Sequence, residues 1–387
     1  MLHFLRKIIK PKYEPLNHVE INAANIIDNY NYLQSCQPGA AIFPVLKSNA
    51  YGHGLKEMCQ IINKTTAQLV IVDSFPEAQI VYRHYHGAVL ILGEMPLQAY
   101  DYCRFNRTEF VVYNSETLRY LARFGKRSKI HLFYNSGMNR EGIKDLPAFI
   151  SKNKEYLEKV TVNGFASHLA SAETDSALNK KQADNFFIAL NILQTAGFKP
   201  RWVHLGNSAL ILKNNQQLPL ESSSINLLTA YRSGLALFGY NPFKSQIEAI
   251  PSLKPALEIF SKVVAVQELG LGESVSYNET YQTTQPTRLA IIPFGYCEGL
   301  DRRLSNRAKF LIKNSANVFW APIAGRVSMN LTCLDAGQNT VALGDQVKVV
   351  SSQANDFNSL SNLADLLETI PYEFLVKIQA NIRRVIV

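Results

Sequence analysis

Residues 41–54 read AIFPVLKSNAYGHG. The first seven form a compact apolar run of strand length that ends on Lys47. Ser48, Asn49, Gly52 and Gly54 then interrupt the pattern, as turn residues do. A helical spacing of apolar residues follows from Leu55 to Lys64. The stretch therefore predicts a strand, a tight connection and a helix, with a lysine at the strand's C-terminal end.

The same alternation continues in both directions. Val19 to Asn22 predicts a short strand leading into a helix near Ala24 to Leu33. Further strands are predicted at 69–72, 89–92, 110–113, 129–134, 162–168 and 202–206, with a weaker one within 225–231. Helices are predicted at 76–85, 116–124, 145–160 and 178–196. Strands that alternate with helices argue for parallel βα units. About eight such units over roughly 230 residues fit an α/β fold of the closed (β/α)8, TIM-like kind.

The pattern changes after Tyr240-Asn241-Pro242. Segments 256–269, 288–293, 309–313 and 346–350 read as strands divided by turns, with a helix near 363–368. Three parts are expected: an N-terminal arm over residues 1–17 that adds a strand to the last domain, a barrel over 18–243, and a mostly β C-terminal domain over 244–387. A chain of 387 residues has room for two such cores.

Composition narrows the setting. Near-average glycine and proline, 47% hydrophobic residues and only five cysteines exclude collagen, a disulfide-dense scaffold and a disordered chain. The net charge of +9 favours anionic partners in principle, but its lysines and arginines are dispersed. No nucleic-acid partner is expected. The cysteines are far apart and form no cluster of metal-ligand spacing, so neither a metal nor a disulfide framework is expected. The N-terminal MLHFLRKIIK is interrupted by Arg6 and Lys7 and lacks a small-residue cleavage pattern, and no run is apolar enough to span a bilayer. A cytoplasmic protein without a membrane partner is expected.

Barrel active sites collect at the C-terminal ends of the strands. A lysine placed there can form a Schiff base with a carbonyl, including that of pyridoxal phosphate. The string VLKSNAYGHG resembles the cofactor-lysine motif of the alanine racemases, a fold-type III pyridoxal-phosphate family. Ordered segments across most of the chain agree with it: HLFYNSGMNREGI, GFASHLASAE, HLGNSAL, YRSGLALFGYNP, SVSYNETY, IPFGYCEGLDRRLSN, GRVSMNLT and PYEFLVKI.

The resemblance implies roles residue by residue. Lys47 carries pyridoxal 5'-phosphate, and Tyr51, Asn207, Ser208, Gly234, Leu235 and Tyr372 belong to its phosphate site or surroundings. Arg232 faces the pyridine nitrogen, where a permanent donor opposes protonation of the ring. His168 supports that network or packs on the cofactor. Arg140, Tyr296 and Met329 contact substrate or line its entrance. Racemisation removes a proton from one face and returns one to the other, which two opposed bases accomplish. Lys47 and Tyr277 are the implied catalytic pair. A phenol of pKa about 10 is a weak base at neutral pH, so Tyr277 needs local help. The family builds its sites across a head-to-tail homodimer, with Tyr277, Met329 and Tyr296 coming from the partner chain.

Some positions depart from the family pattern. Phe133 and Asn135 stand where Lys and Asp are usual; that lysine is carbamylated in many relatives and orients the site arginine. Either a bond from Asn135 to Arg140 or an anion such as chloride is expected in its place. Asn330 and Glu298 each replace an Asp, Asp301 stands where Pro is common, and Glu141 follows the site arginine. Phe133, Asn135 and Asn330 partly resemble broad-specificity amino-acid racemases. Alanine is the expected small amino-acid substrate, with lysine or arginine as the alternative. A further alternative is a cofactor-binding protein without a reaction, although the small relatives of that kind lack the C-terminal β domain.

Overall fold

The structure, a computed structural model, describes residues 13–213, 228–243 and 253–387. Most of the expected N-terminal arm, the start of the expected strand at 225–231 and the expected domain junction at 243/244 lie at or outside those limits. The chain divides into two compact units: residues 22–256, and residues 257–387 together with the N-terminal segment to Ile21.

The first unit is built on eight parallel strands: β2 (Ala41–Pro44), β3 (Leu69–Val72), β4 (Ala88–Ile91), β5 (Thr108–Val112), β6 (Lys129–Phe133), β7 (Thr161–Ala166), β8 (Trp202–His204) and β9 (Leu228–Ser233). They run in chain order around the sheet, and β9 returns to pair with β2. The ring closes between β2 and β3 through one parallel bridge, Val45–Ile71, and the bond from Leu46 N–H to the Ile71 carbonyl at 2.7 Å. Strands such as LVIV and TEFVV are buried along their whole length, because helices cover one face and the barrel interior the other. Phe43, Leu69, Leu90, Val111, Phe133 and Trp202 fill the interior.

The helices between the strands begin where the sequence supplies caps. Asn22, Asn114, Asp145 and Ser176 each accept a first-turn backbone N–H at the starts of helices Ala23–Cys36, Ser115–Ala122, Leu146–Lys159 and Ala177–Thr195.

The second unit contains two sheets. One has the order β14-β13-β16-β10-β1-β17 and the other β11-β12-β15. The strands are β1 (His18–Ile21), β10 (Leu257–Lys262), β11 (Ala265–Leu269), β12 (Thr287–Ile292), β13 (Lys309–Lys313), β14 (Val318–Pro322), β15 (Thr332–Gly337), β16 (Gln346–Val350) and β17 (Arg383–Ile386).

Two readings change here. β1 was expected to open the barrel, yet it pairs with β10 and β17. Only Val19 and Ile21 of its four residues are buried, a one-faced pattern that suits this sheet better than a barrel of doubly buried strands. The strand expected over 256–269 is two strands in different sheets. The chain crosses at Val263, whose N–H bonds to the Asp345 carbonyl at 2.9 Å, and Val264, whose N–H bonds to Ile291 at 2.8 Å.

Candidate active site

The residues after β2 adopt an uncommon conformation. Ser48, Asn49, Ala50 and Tyr51 all have positive φ, between 51° and 56°, and form one left-handed turn. Each such non-glycine residue costs on the order of 1–2 kcal/mol, so the surrounding bonds must hold the turn. The Glu77 carboxylate accepts from Ser48 N–H at 2.6 Å and Asn49 N–H at 3.4 Å, while its other oxygen accepts from Asp73 N–H at 2.8 Å. Asn49 Oδ1 accepts from Leu55 N–H at 2.9 Å. Lys47 leads into this turn and reaches Asp73, with Nζ 3.4 Å from Oδ1.

Tyr51 lies against Gly234: a Cβ placed on that glycine would sit 2.7 Å from the tyrosine oxygen. Burial, and then the charge of Asp73, push the Tyr51 phenol up to about 12. Tyr51 therefore stays protonated and serves as a donor. Ser208 begins the short helix Ser208–Leu212, which Asn207 caps through Oδ1. Its Oγ accepts from Gly234 N–H at 3.1 Å and Ala236 N–H at 3.4 Å. The Leu235 N–H has no partner among the described residues.

Arg232 is buried at the end of β9. Its Nη1 donates to His204 Nδ1 at 2.7 Å and to the His204 carbonyl at 2.8 Å. Its Nη2 donates to the Ser167 carbonyl at 2.6 Å and to His168 Nδ1 at 3.0 Å. Among the described residues, the Nε–H is left without a partner. Burial, with a smaller effect from Arg140, lowers the guanidinium to about 10, which still leaves it charged at neutral pH. Burial, and then Arg232, Arg140 and Lys47, pull His168 down to about 3, so its ring is neutral. The fields of Lys47, Arg140 and Arg232 thus meet at His168.

These groups fit pyridoxal phosphate at three points. Lys47 offers an amine for the aldehyde, and Arg232 offers one unused N–H for the ring nitrogen. The glycine turn, with Tyr51, Ser208 and the Leu235 N–H, offers donors for an anionic phosphate.

The family model for the N-terminal domain of alanine racemase matches residues 21–242, and that for its C-terminal domain matches residues 256–386. The chain belongs to the alanine racemase family. The alanine racemase of Carboxydothermus hydrogenoformans is 31% identical over 378 residues, covering 95% of this chain and 98% of that protein. Alanine racemase 1 of Caldanaerobacter subterraneus is 31% identical over 356 residues, covering 89% and 87%. The crystal structure of Bacillus anthracis alanine racemase with bound L-Ala-P matches with a TM-score of 0.85 at 26% identity, over 97% of this chain and 96% of that one. As a member of this family, the chain is a pyridoxal-phosphate-dependent racemase with the family's barrel and β domain.

Four of the expected residues lie in the second unit. Tyr277, Tyr296 and Met329 are exposed, and Tyr372 lies in the helix Pro371–Lys377. Tyr277 follows Ser276, whose φ is 65° and whose Oγ donates to the Arg326 carbonyl at 2.7 Å. The Tyr296 and Met329 loops are tied together by Tyr296 N–H to the Ser328 carbonyl at 3.1 Å and Cys297 N–H to the Met329 carbonyl at 2.9 Å. Two departures from the family pattern pair here: Asn330 Nδ2 donates to Glu298 Oε1 at 2.9 Å.

The expected bond from Asn135 to Arg140 is not formed. Asn135 Oδ1 instead accepts from Gly137 N–H at 3.1 Å and Asn139 N–H at 3.0 Å, organising its own loop. Arg140 pairs with Glu141 through Nε and Nη2, the latter at 2.7 Å. Phe133 packs in the barrel interior. Sequence reasoning missed Glu77, Asp73, Glu109, His131 and His204. The available signal was polarity out of place: a glutamate in TEFVV, and histidines in KIHLF and WVH, within strands that are otherwise buried.

Proposed function

We propose that Lys47 and Tyr277 are two opposed bases that exchange the α-proton of alanine, in a site completed by a second copy of the chain. The chain is an alanine racemase, interconverting L-alanine and D-alanine. The observation that carries the reading is the buried Arg232, with its Nη donors committed to protein acceptors and Nε–H left over. That arrangement suits a ring nitrogen that accepts a hydrogen bond.

When bound, pyridoxal phosphate withdraws electron density and makes the α C–H of an amino acid acidic enough to lose. The protein's part is then positional. Tyr51, Ser208, Gly234, Leu235 and Tyr372 hold the phosphate, and Asn207 fixes the turn carrying Ser208. Arg232 donates to the ring nitrogen and keeps it unprotonated, which confines the chemistry to proton exchange. His168 stays neutral and accepts from Arg232. Arg140 meets the substrate carboxylate. Lys47 exchanges the proton on the D face and Tyr277 on the L face, and Tyr296 and Met329 narrow the entrance.

The exposure of Tyr277 at 64% and Met329 at 56% supports a role for these side chains against a partner subunit, as in a head-to-tail homodimer. The five cysteines are free thiols, which supports a reducing, cytoplasmic setting. No described helix is long and apolar enough to cross a membrane.

The test is a panel of L-alanine, L-serine, L-lysine and L-arginine with chiral detection of products. Alanine is expected to be turned over best. A marked preference for lysine or arginine, the alternative raised by the departures at Phe133, Asn135 and Asn330, would overturn the substrate assignment.

A further inference from the structure

A row of polar side chains crosses the otherwise apolar barrel interior. Side chains alternate along a strand, so Glu109 shares the inner face with Val111, His131 with Phe133, His204 with Trp202 and Arg232 with Ala230. All four polar residues are buried. His131 on β6 reaches His204 on β8 across β7, and β7 presents Gly164 at the crossing. A Cβ at Gly164 would collide with the His131 ring.

The bonds are short and continuous. Arg232 Nη1 lies 2.7 Å from His204 Nδ1, His204 Nε2 lies 2.7 Å from His131 Nδ1, and His131 Nε2 lies 2.6 Å from Glu109 Oε2. Asn163 Nδ2 donates to the same carboxylate oxygen at 2.6 Å.

Arginine can only donate, and that fixes every proton in the row. His204 Nδ1 must accept, so its proton sits on Nε2 and is donated to His131. His131 Nδ1 then accepts, so its own proton sits on Nε2 and is donated to Glu109. All the bonds point from Arg232 towards the carboxylate. Burial pushes Glu109 up, but the bond from His131, the charge that ring carries when protonated, the bond from Asn163 and the charge of Lys129 together hold the carboxyl below its ordinary value. A charged guanidinium and a charged carboxylate thus close the two ends of a neutral relay. A buried charge without such compensation is costly.

We propose that Glu109 is a positioning residue for Arg232, acting through His131 and His204 to hold the guanidinium charged and its Nε–H aimed at the cofactor ring. The inference rests on the reading that Arg232 faces the pyridine nitrogen. It adds that, besides the nearby charge of Glu141, a second carboxylate answers the guanidinium through hydrogen bonds three side chains away, inside the barrel.

Nitrogen-15 NMR of histidine-labelled full-length protein tests the relay directly, with and without pyridoxal phosphate. His131 and His204 are expected as neutral rings protonated on Nε2 in both forms. A proton on Nδ1 of either ring, or a doubly protonated ring, overturns the proposal without any variant. In Glu109→Gln the ring nitrogen of labelled, bound cofactor is expected to shift, and kcat to fall by about tenfold or more with KM for alanine within about twofold, because positioning is lost while substrate contacts remain. An unchanged cofactor resonance and unchanged kcat also overturn it. The histidine result does not depend on substrate. Failure of the wild-type protein to racemise alanine would therefore sink the functional reading and leave the relay separately decided.

Discussion

Glu77 accepts the backbone N–H of Ser48 at 2.6 Å and so holds the first residue of the left-handed turn that follows Lys47. One carboxylate also receives the N–H groups of Asn49 and Asp73, and Asp73 in turn meets the lysine amine. The lysine is thus presented by a turn that is unfavourable by itself and stabilised by a residue on the next βα unit.

Replacing Glu77 by Ala removes the acceptor for three N–H groups. The barrel is expected to lose about 1–3 kcal/mol, the usual cost of stranding such donors. The fraction of chains carrying cofactor is expected to fall as well. Thermal melting and the visible absorbance of bound pyridoxal phosphate check both effects. A variant with wild-type melting and occupancy would show that the turn holds itself.

Gly234→Ala tests the phosphate cradle. The added methyl would lie 2.7 Å from the Tyr51 oxygen, so the tyrosine must move from the place where it would meet the phosphate. Cofactor affinity is expected to drop by about tenfold or more, a loss of about 1.4 kcal/mol. Equilibrium dialysis against pyridoxal phosphate measures it.

Much of the barrel was legible because doubly buried strands read as short apolar runs, of which Leu69–Val72 is the plainest. β1 was assigned to the wrong sheet because four residues show where a strand is but not what it pairs with. β14 passed unread because most of Val318–Pro322 is partly exposed and lacks clear alternation. At the site, Lys47 stood out because its motif is local in sequence. The row from Glu109 to Arg232 did not, since each member sits singly in a different strand and only barrel closure brings them together.

Acid should weaken the barrel in a definite window. Burial, then Arg232, holds His168 down to about 3, and burial holds His204 well below its ordinary 6.5. Near neutral pH both rings are unprotonated in the folded chain. As pH falls below about 6.5 the unfolded chain takes up protons that the folded chain refuses, so stability declines from there towards about 3 for His168. Melting temperatures measured from pH 8 to pH 4.5 are expected to fall across the lower half, and His168→Asn is expected to flatten part of that slope.

Glu141 pairs with Arg140, and Phe133 cannot carry the carbamate that the family resemblance implies for its position. Glu141→Ala is expected to raise KM for alanine several-fold with a smaller change in kcat, since a freed guanidinium is less well aimed at a carboxylate. Steady-state kinetics at fixed chloride concentration separate this from rescue by an added anion.

The most direct test of a shared, two-base site is complementation between Lys47→Ala and Tyr277→Phe. Each variant alone is expected to be nearly inactive towards alanine. Co-expressed with different tags, half of the dimers would be mixed, and each mixed dimer would hold one intact site and one doubly defective site. Recovery of about a quarter of wild-type sites is expected, by the symmetry of a closed dimer. No recovery in isolated mixed dimers would contradict a shared site, because Lys47 and Tyr277 would then have to act from the same chain.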